Sequence, residues 1–289
     1  MLVPRLCNPF PWLVVVLLLH FALPLESRAD EVYTPLSILG RTNRLAPLCD
    51  DFEDSNWHIE GLWRGGNPSG RGTPELITRV TTPLGGKVGS TGALEIRTNS
   101  IDSDESPDQE DFLTAEYTPR LGRRLTLADQ PVFLVRVWLP PFNQWGAYYR
   151  FGFRHEYFLM NGSKTYSSIF LEYKKRAGPK PVVIIRIDKN EYANPNWVID
   201  RDGWWTLAVG FDEKGVDYFY AYPGLGIPTG KEKIFDGGQI RGGDDTSIDY
   251  FNYSFFSLMY LPTGNASPPI VIDDYETWGV RPTTVAPES

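Results

Sequence analysis

Five cations, Arg136, Arg150, Arg154, Lys174 and Arg186, sit in short apolar runs, each with an aromatic or acidic residue two positions away. Side chains of an extended strand alternate between faces. Arg136 therefore shares a face with Trp138, Arg150 and Arg154 with Tyr148 and Glu156, Lys174 with Glu172, and Arg186 with Asp188. If these strands are neighbours in one sheet, they build a groove rich in Arg and aromatic rings. Guanidinium forks pair with carboxylate or sulfate, and rings stack on sugar faces, so such a groove would bind an anionic polysaccharide. The alternative is a solvated face on which Arg and Glu form cross-strand pairs. A register slip of one residue would exchange the two faces and remove the groove.

The same stretch offers candidates for catalysis. As an enzyme the chain would draw on His155, Glu172 and Arg154. His155 would act as base, with a Tyr as acid, in a β-elimination that cleaves a uronic-acid polymer, while Arg150 or Arg154 neutralises the carboxylate so that the α-proton can leave. Alternation places His155 with Phe151 and Phe153 on the apolar face, which favours a buried, hydrogen-bonded histidine. Other chemistries lack their residues: there is no Gly-x-Ser-x-Gly elbow, no Gly-Lys-Ser/Thr loop and no His-Glu-x-x-His. A glycosidase needs two carboxylates at a defined separation, and no short spacing nominates the pair.

Acidic residues gather elsewhere. Asp51 and Glu53 near the start and Asp273 and Asp274 near the end, with Asp50 and Glu276, would offer hard oxygen ligands to a structural Ca²⁺ if the terminal strands are adjacent. The alternative is turn capping and solvation. The run Asp102–Asp111 (DSDESPDQED) reads as an exposed mobile loop.

These residues must be held by strands. The clearest are Phe133–Leu139, Tyr148–Phe158, Ile169–Lys175 and Val182–Asp188, followed by Ala93–Arg97, Trp204–Phe211, Asp217–Tyr222, Phe251–Tyr260 and Ile270–Trp278. Gly, Pro, Asn and Asp punctuate them, and no amphipathic helix, heptad or repeat intervenes. The pattern predicts an all-β fold, a two-sheet antiparallel β-sandwich in which each apolar face is buried against the other sheet.

Asp50-Asp51-Phe52-Glu53 with Trp57, Gly89-Ser90-Thr91-Gly92-Ala93-Leu94, and Ile272-Asp273-Asp274-Tyr275-Glu276-Thr277-Trp278 resemble secreted bacterial proteins of the concanavalin A-like jelly-roll superfamily. Asp202-Gly203-Trp204-Trp205-Thr206-Leu207 and the Tyr218–Gly224 run look like a mostly uncharacterised branch of it. The resemblance covers roughly residues 48–280 and implies a jelly roll whose first and last strands lie side by side. It also implies a carbohydrate context, since the superfamily includes lectins, carbohydrate-binding modules, hydrolases and lyases. The Glu-x-Asp-x-x-Glu strand of its laminarinase-like hydrolases is missing, as are the Arg-Glu-Leu-Arg and Gln-Ile-His strands of its alginate lyases.

Composition bounds the rest. With 28 Lys+Arg against 36 Asp+Glu the net charge is -8, which argues against a nucleic-acid partner. Arg5, the apolar run Trp12–Leu25 and the small residues Ser27 and Ala29 form a secretory leader over residues 1–29, too short to span a bilayer once His20 and Pro24 interrupt it. Cleavage would remove Cys7 and leave Cys49 as the one cysteine, so no internal disulfide supports the mature chain. Residues 30–47 then form an N-terminal arm, 48–280 the sandwich and 281–289 a flexible tail. The expected product is a secreted, periplasmic or cell-surface protein that binds polysaccharide without cleaving it. The alternatives are a lyase or hydrolase of an anionic glycan and a structural envelope protein. Nothing in the sequence specifies an oligomeric state.

Overall fold

The computed structural model describes residues 43–53, 63–65, 74, 76–98, 109–145, 148–174, 176–188, 190–227, 233–236, 248–260 and 268–281. The leader, most of the arm, Asp102 to Asp108 of the acidic run and the tail beyond Arg281 lie outside them. The strands run in chain order β1 (Asn43–Arg44), β2 (Trp63–Gly65), β3 (Leu76–Val80), β4 (Ala93–Arg97), β5 (Gln109–Glu116), β6 (Val132–Leu139), β7 (Tyr148–Leu159) and β8 (Lys164–Lys174). They continue as β9 (Val182–Ile187), β10 (Asn190–Val198), β11 (Gly203–Phe211), β12 (Asp217–Pro223), β13 (Lys233–Asp236), β14 (Ile248–Tyr260) and β15 (Ile270–Gly279). Two antiparallel sheets result. One has the order β13-β12-β11-β6-β15-β4-β3 with β1 beside β15, the other β10-β9-β8-β7-β14-β5-β2.

The apolar faces meet as alternation predicts. Phe133, Val135 and Val137 of β6 and Leu207 and Val209 of β11 join Phe151, Phe153 and Tyr157 of β7 and Ile169 and Leu171 of β8 in one fully buried core. Each such side chain contributes about 1.5–3 kcal/mol on leaving water. The nine sequence-predicted strands are all present. Those that escaped prediction are short, lie at edges, or carry residues that disguise them. β10 (NEYANPNWV) contains Pro195 but is an edge strand, where a missing N–H costs no ladder bond.

Three boundaries move. The acidic run ends inside β5: Asp111 is fully buried and accepts a hydrogen bond from Thr98 Oγ1 at 2.8 Å, so it is a strand residue and not part of a mobile loop. Residues 43–47, expected in a separate arm, are stitched to β15. Asn43 pairs with Gly279, the Leu45 amide donates to the Thr277 carbonyl at 2.8 Å, and Leu45 is in the core. Arg281, expected at the start of a free tail, donates to both carboxylate oxygens of Asp129 at 2.9 and 2.8 Å. Among the described residues the first and last strands thus lie side by side, as the resemblance implies, with Asp50 bridging to Tyr275. Among the described residues no helix is long and apolar enough to cross a membrane.

Candidate functional site

The outer face of the seven-stranded sheet carries most of the candidate cations. Register sets Tyr148 opposite Lys174, Arg150 opposite Glu172, Gly152 opposite Phe170 and Arg154 opposite Ser168. On β9, Arg186 faces Ser168, and beyond it on β10 lies Glu191. Arg150 grips Glu172 through Nε and Nη2 and reaches Glu191 Oε1 through Nη1 at 2.9 Å. Lys174 Nζ lies 2.7 Å from the second oxygen of Glu172, the Tyr148 hydroxyl donates to the first at 3.1 Å, and Arg186 stands 3.8 Å from Glu191. The cations of this network outnumber its two carboxylates, Glu172 and Glu191.

Aromatic rings surround the same groups. The Arg154 guanidinium lies 4.5 Å from the Tyr166 ring centre, 5.1 Å from Phe255, 5.5 Å from Phe112 and 5.7 Å from Phe170, distances at which a cation is attracted to a ring face. Arg186 approaches Tyr166 at 5.0 Å. Tyr166 thus meets two guanidinium groups. Gly152 makes room for the Phe170 ring, since a Cβ there would stand 2.4 Å from Phe170 Cε1. Arg150, Arg154, Glu172 and Phe170 form a buried floor. Lys174 and Glu191 are exposed at the rim, and Tyr148, Tyr166 and Arg186 are half-buried.

Protonation on this face favours fixed charge. Burial works to raise the Glu172 pKa, but hydrogen bonds from Lys174 and Arg150 outweigh it and hold the carboxyl below its ordinary value. Burial pushes the Tyr148 phenol up to about 12. Glu172 therefore stays an anion at neutral pH and Tyr148 a neutral donor, so neither is poised to exchange a proton there.

His155 lies on the opposite side of β7. It is fully buried, stacked on Phe133 at 4.1 Å and edge-on to Phe153 at 4.6 Å. Nδ1 lies 3.1 Å from the Tyr117 hydroxyl and 3.3 Å from Ser254 Oγ, while Nε2 has no hydrogen-bond partner among the described residues. Burial holds its pKa well below the usual histidine value. A base facing the core cannot share a substrate with Arg154 facing outward, so the structure does not bring the proposed lyase pair together.

Arg136 and Trp138 are a second correction. β6 belongs to the eight-stranded sheet, so both residues lie on the far face of the other layer and do not extend the groove. Alternation located their side of the strand correctly, but it carries no information on which sheet a strand joins. There Arg136 pairs with Glu276 at 3.1 Å and Asp274 at 3.6 Å. The carboxylates considered for calcium are answered by protein groups. Lys87 Nζ reaches Asp274 Oδ1 at 2.7 Å, Ser90 Oγ donates to Asp273 Oδ2 at 3.0 Å, and Glu53 accepts from the Thr91 amide and hydroxyl at 2.9 and 2.7 Å. Asp51 is exposed and caps the Glu53 amide at 3.3 Å. Among the described residues no three Asp, Glu, His or Cys side chains converge on a metal position. Burial first, and then Asp274 beside it, raise the Asp273 pKa to about 7.

Tyr166, Phe112, Phe255 and Glu191 were not anticipated for this face. Extending the alternation of β8 back from Glu172 and Phe170 through Ser168 would have reached Tyr166. Glu191 lies on the disguised edge strand, and Phe112 on β5, the strand whose first residues belong to the acidic run.

No family model and no curated protein sequence matches the chain. Among solved structures, that of BuGH16Bwt is similar over 88% of this chain and 99% of its own, at 12% identity and a TM-score of 0.51. A pseudo β-1,3-glucanase and immunostimulatory antigen of Mycobacterium tuberculosis is similar over 81% of this chain and 98% of its own, at 12% identity and a TM-score of 0.47. The cellulose-induced protein Cip1 is similar over 81% and 97%, at 10% identity and 0.47. At these identities the likeness is one of fold: the chain shares with BuGH16Bwt the architecture of a two-sheet antiparallel β-sandwich.

Proposed function

We propose that the protein is exported under the direction of residues 1–29 and binds polysaccharide, without cleaving it, on the outer face of the seven-stranded sheet. One observation carries this reading: on that face Arg150, Arg154, Lys174 and Arg186 each lie within about 6 Å of the centre of an aromatic ring, Phe170, Tyr166, Tyr148 and Tyr166 in turn, while His155 faces the core. Half-exposed Tyr148 and Tyr166 offer ring surface to a sugar, and the excess of cations suits an anionic chain. The absence of turnover rests on Glu172, which Arg150 and Lys174 keep ionised and occupied. A glycosidase acid has the opposite need, a raised pKa and a second carboxylate across the bond.

The test is to incubate the protein with uronate and neutral polysaccharides and follow binding, the absorbance of unsaturated products and new reducing ends. Binding with neither product is expected. Turnover that Glu172→Gln abolishes would replace this reading with the enzyme one, and no binding to any glycan would leave a structural role.

A further inference from the structure

At one end of the sandwich, away from the Arg154 rings, lies a cleft of about 570 Å³, within the size range of small-ligand sites. Its walls are the β6–β7 connection, which contributes Phe142, Asn143 and Trp145, and the end of β8 with the following turn, which contributes Tyr173, Arg176 and Pro179. Trp145 is fixed by its indole N–H, which donates to the Pro140 carbonyl at 3.0 Å. Phe142 and Tyr173 stand edge-on to it at 5.6 and 5.5 Å. The floor is therefore a rigid aromatic cluster, held in place before any ligand arrives.

The rim has different chemistry. Lys174 ends β8, and the turn after it carries Arg176 and Lys180, in a chain whose net charge is -8. Arg176 and Lys180 are exposed, and among the described residues neither has an acidic partner. Asn143 is exposed across the cleft. On the outer face Arg150, by contrast, is held by Glu172 and Glu191. Arg176 is a guanidinium fork left open at the mouth of an aromatic cleft.

We infer that this cleft binds a uronic acid residue, its ring against the Phe142 and Tyr173 side and its carboxylate on Arg176, with Asn143 hydrogen-bonding a ring hydroxyl. A planar guanidinium meets a planar carboxylate through two parallel hydrogen bonds, and stacked rings supply contact that is indifferent to sugar identity. The aromatic floor alone would accept neutral sugars, so the preference for acid lies in the turn. The cleft adjoins the outer face, because Tyr173 precedes Lys174, which pairs with Tyr148. It thus provides a terminal subsite for the polysaccharide, and this inference rests on the polysaccharide reading.

The experiment is titration calorimetry of the intact protein with glucuronate, glucose, glucose 6-sulfate and a long polyuronate, repeated with Arg176→Ala and Phe142→Ala. Glucuronate is expected to bind at least tenfold more tightly than glucose. Arg176→Ala should abolish that preference and leave polyuronate binding at the outer face within a few-fold, and Phe142→Ala should weaken both monosaccharides. Equal affinity for glucuronate and glucose, or glucuronate binding that ignores Arg176→Ala, would overturn the subsite while leaving the outer-face reading intact. Tighter binding of glucose 6-sulfate would overturn the uronate assignment. Failure of every glycan to bind would overturn both readings.

Discussion

Two buried titratable side chains pull stability in opposite directions with pH. His155 is neutral in the core and its folded pKa lies well below 6.5. Below that value the unfolded chain takes up a proton that the native state refuses, so His155 makes stability fall on acidification, by up to about 1.4 kcal/mol per pH unit. Asp273 has a folded pKa of about 7 against an ordinary 3.8. Between those values the native state holds a proton the unfolded chain lacks, so Asp273 makes stability fall as pH rises through the same window. In the wild type the two offset each other in the part of that window below about pH 6.5. His155→Phe should expose the Asp273 slope, making the variant gain stability relative to wild type when pH drops from 7 to 5, and Asp273→Asn should do the reverse. Urea midpoints at the two pH values check this, and parallel pH dependence in all three proteins would refute it. Reading the change with pH within each variant separates titration from the packing cost of the substitution itself.

At the scale of the strand, β7 organises both the core and the candidate site. Its even and odd positions were legible from alternation: Tyr149, Phe151, Phe153 and Tyr157 are inward, Arg150 and Arg154 outward, as read from YYRFGFRHEYF. Which strands flank β7 was not legible, because pairing across a sheet depends on contacts far apart in sequence. Arg136 shows the consequence: its face of the strand is the expected one, but the condition that β6 neighbours β7, β8 and β9 in one sheet is not met. Nor did Gly152 announce itself, although it lets the Phe170 ring lie against the strand between Arg150 and Arg154. Gly152→Ala places a methyl where Phe170 Cε1 would be 2.4 Å and Ser257 Oγ 2.7 Å away. Those atoms cannot both retreat within a packed face, so a loss of roughly 1–3 kcal/mol in unfolding free energy is expected. Phe170 also lies 5.2 Å from the Arg150 guanidinium, so its displacement should weaken polysaccharide binding severalfold at temperatures where the variant is fully folded. A stable Gly152→Ala protein with unchanged affinity would show that the ring does not shape the site.

Over the whole molecule, closure depends on the junction between the two ends of the described chain. Leu45 and Leu48 enter the core from the N-terminal side, β1 pairs with β15, and the backbones of Asp50 and Tyr275 exchange hydrogen bonds at 2.9 and 2.8 Å. Cys49 sits in this seam. Its thiol lies 3.3 Å from the Leu45 carbonyl and 3.7 Å from that of Thr277, and it accepts the Thr277 amide at 3.4 Å. Burial pushes its pKa up to about 11, so at pH 8 almost none of it is the reactive thiolate. A cysteine held this way reports the opening of the seam. Alkylation at Cys49, followed by peptide mapping to separate it from Cys7, should be slow in the native protein and should accelerate in urea. Two-state behaviour would make that acceleration track global unfolding, whereas a seam that detaches first would label Cys49 below the urea range in which tryptophan emission changes. The second outcome is expected, because β1 is only two residues long and pairs with β15 alone, whereas β6, β7 and β14 are central strands with neighbours on both sides. Coincident transitions would show that the terminal segment is an integral part of the cooperative core.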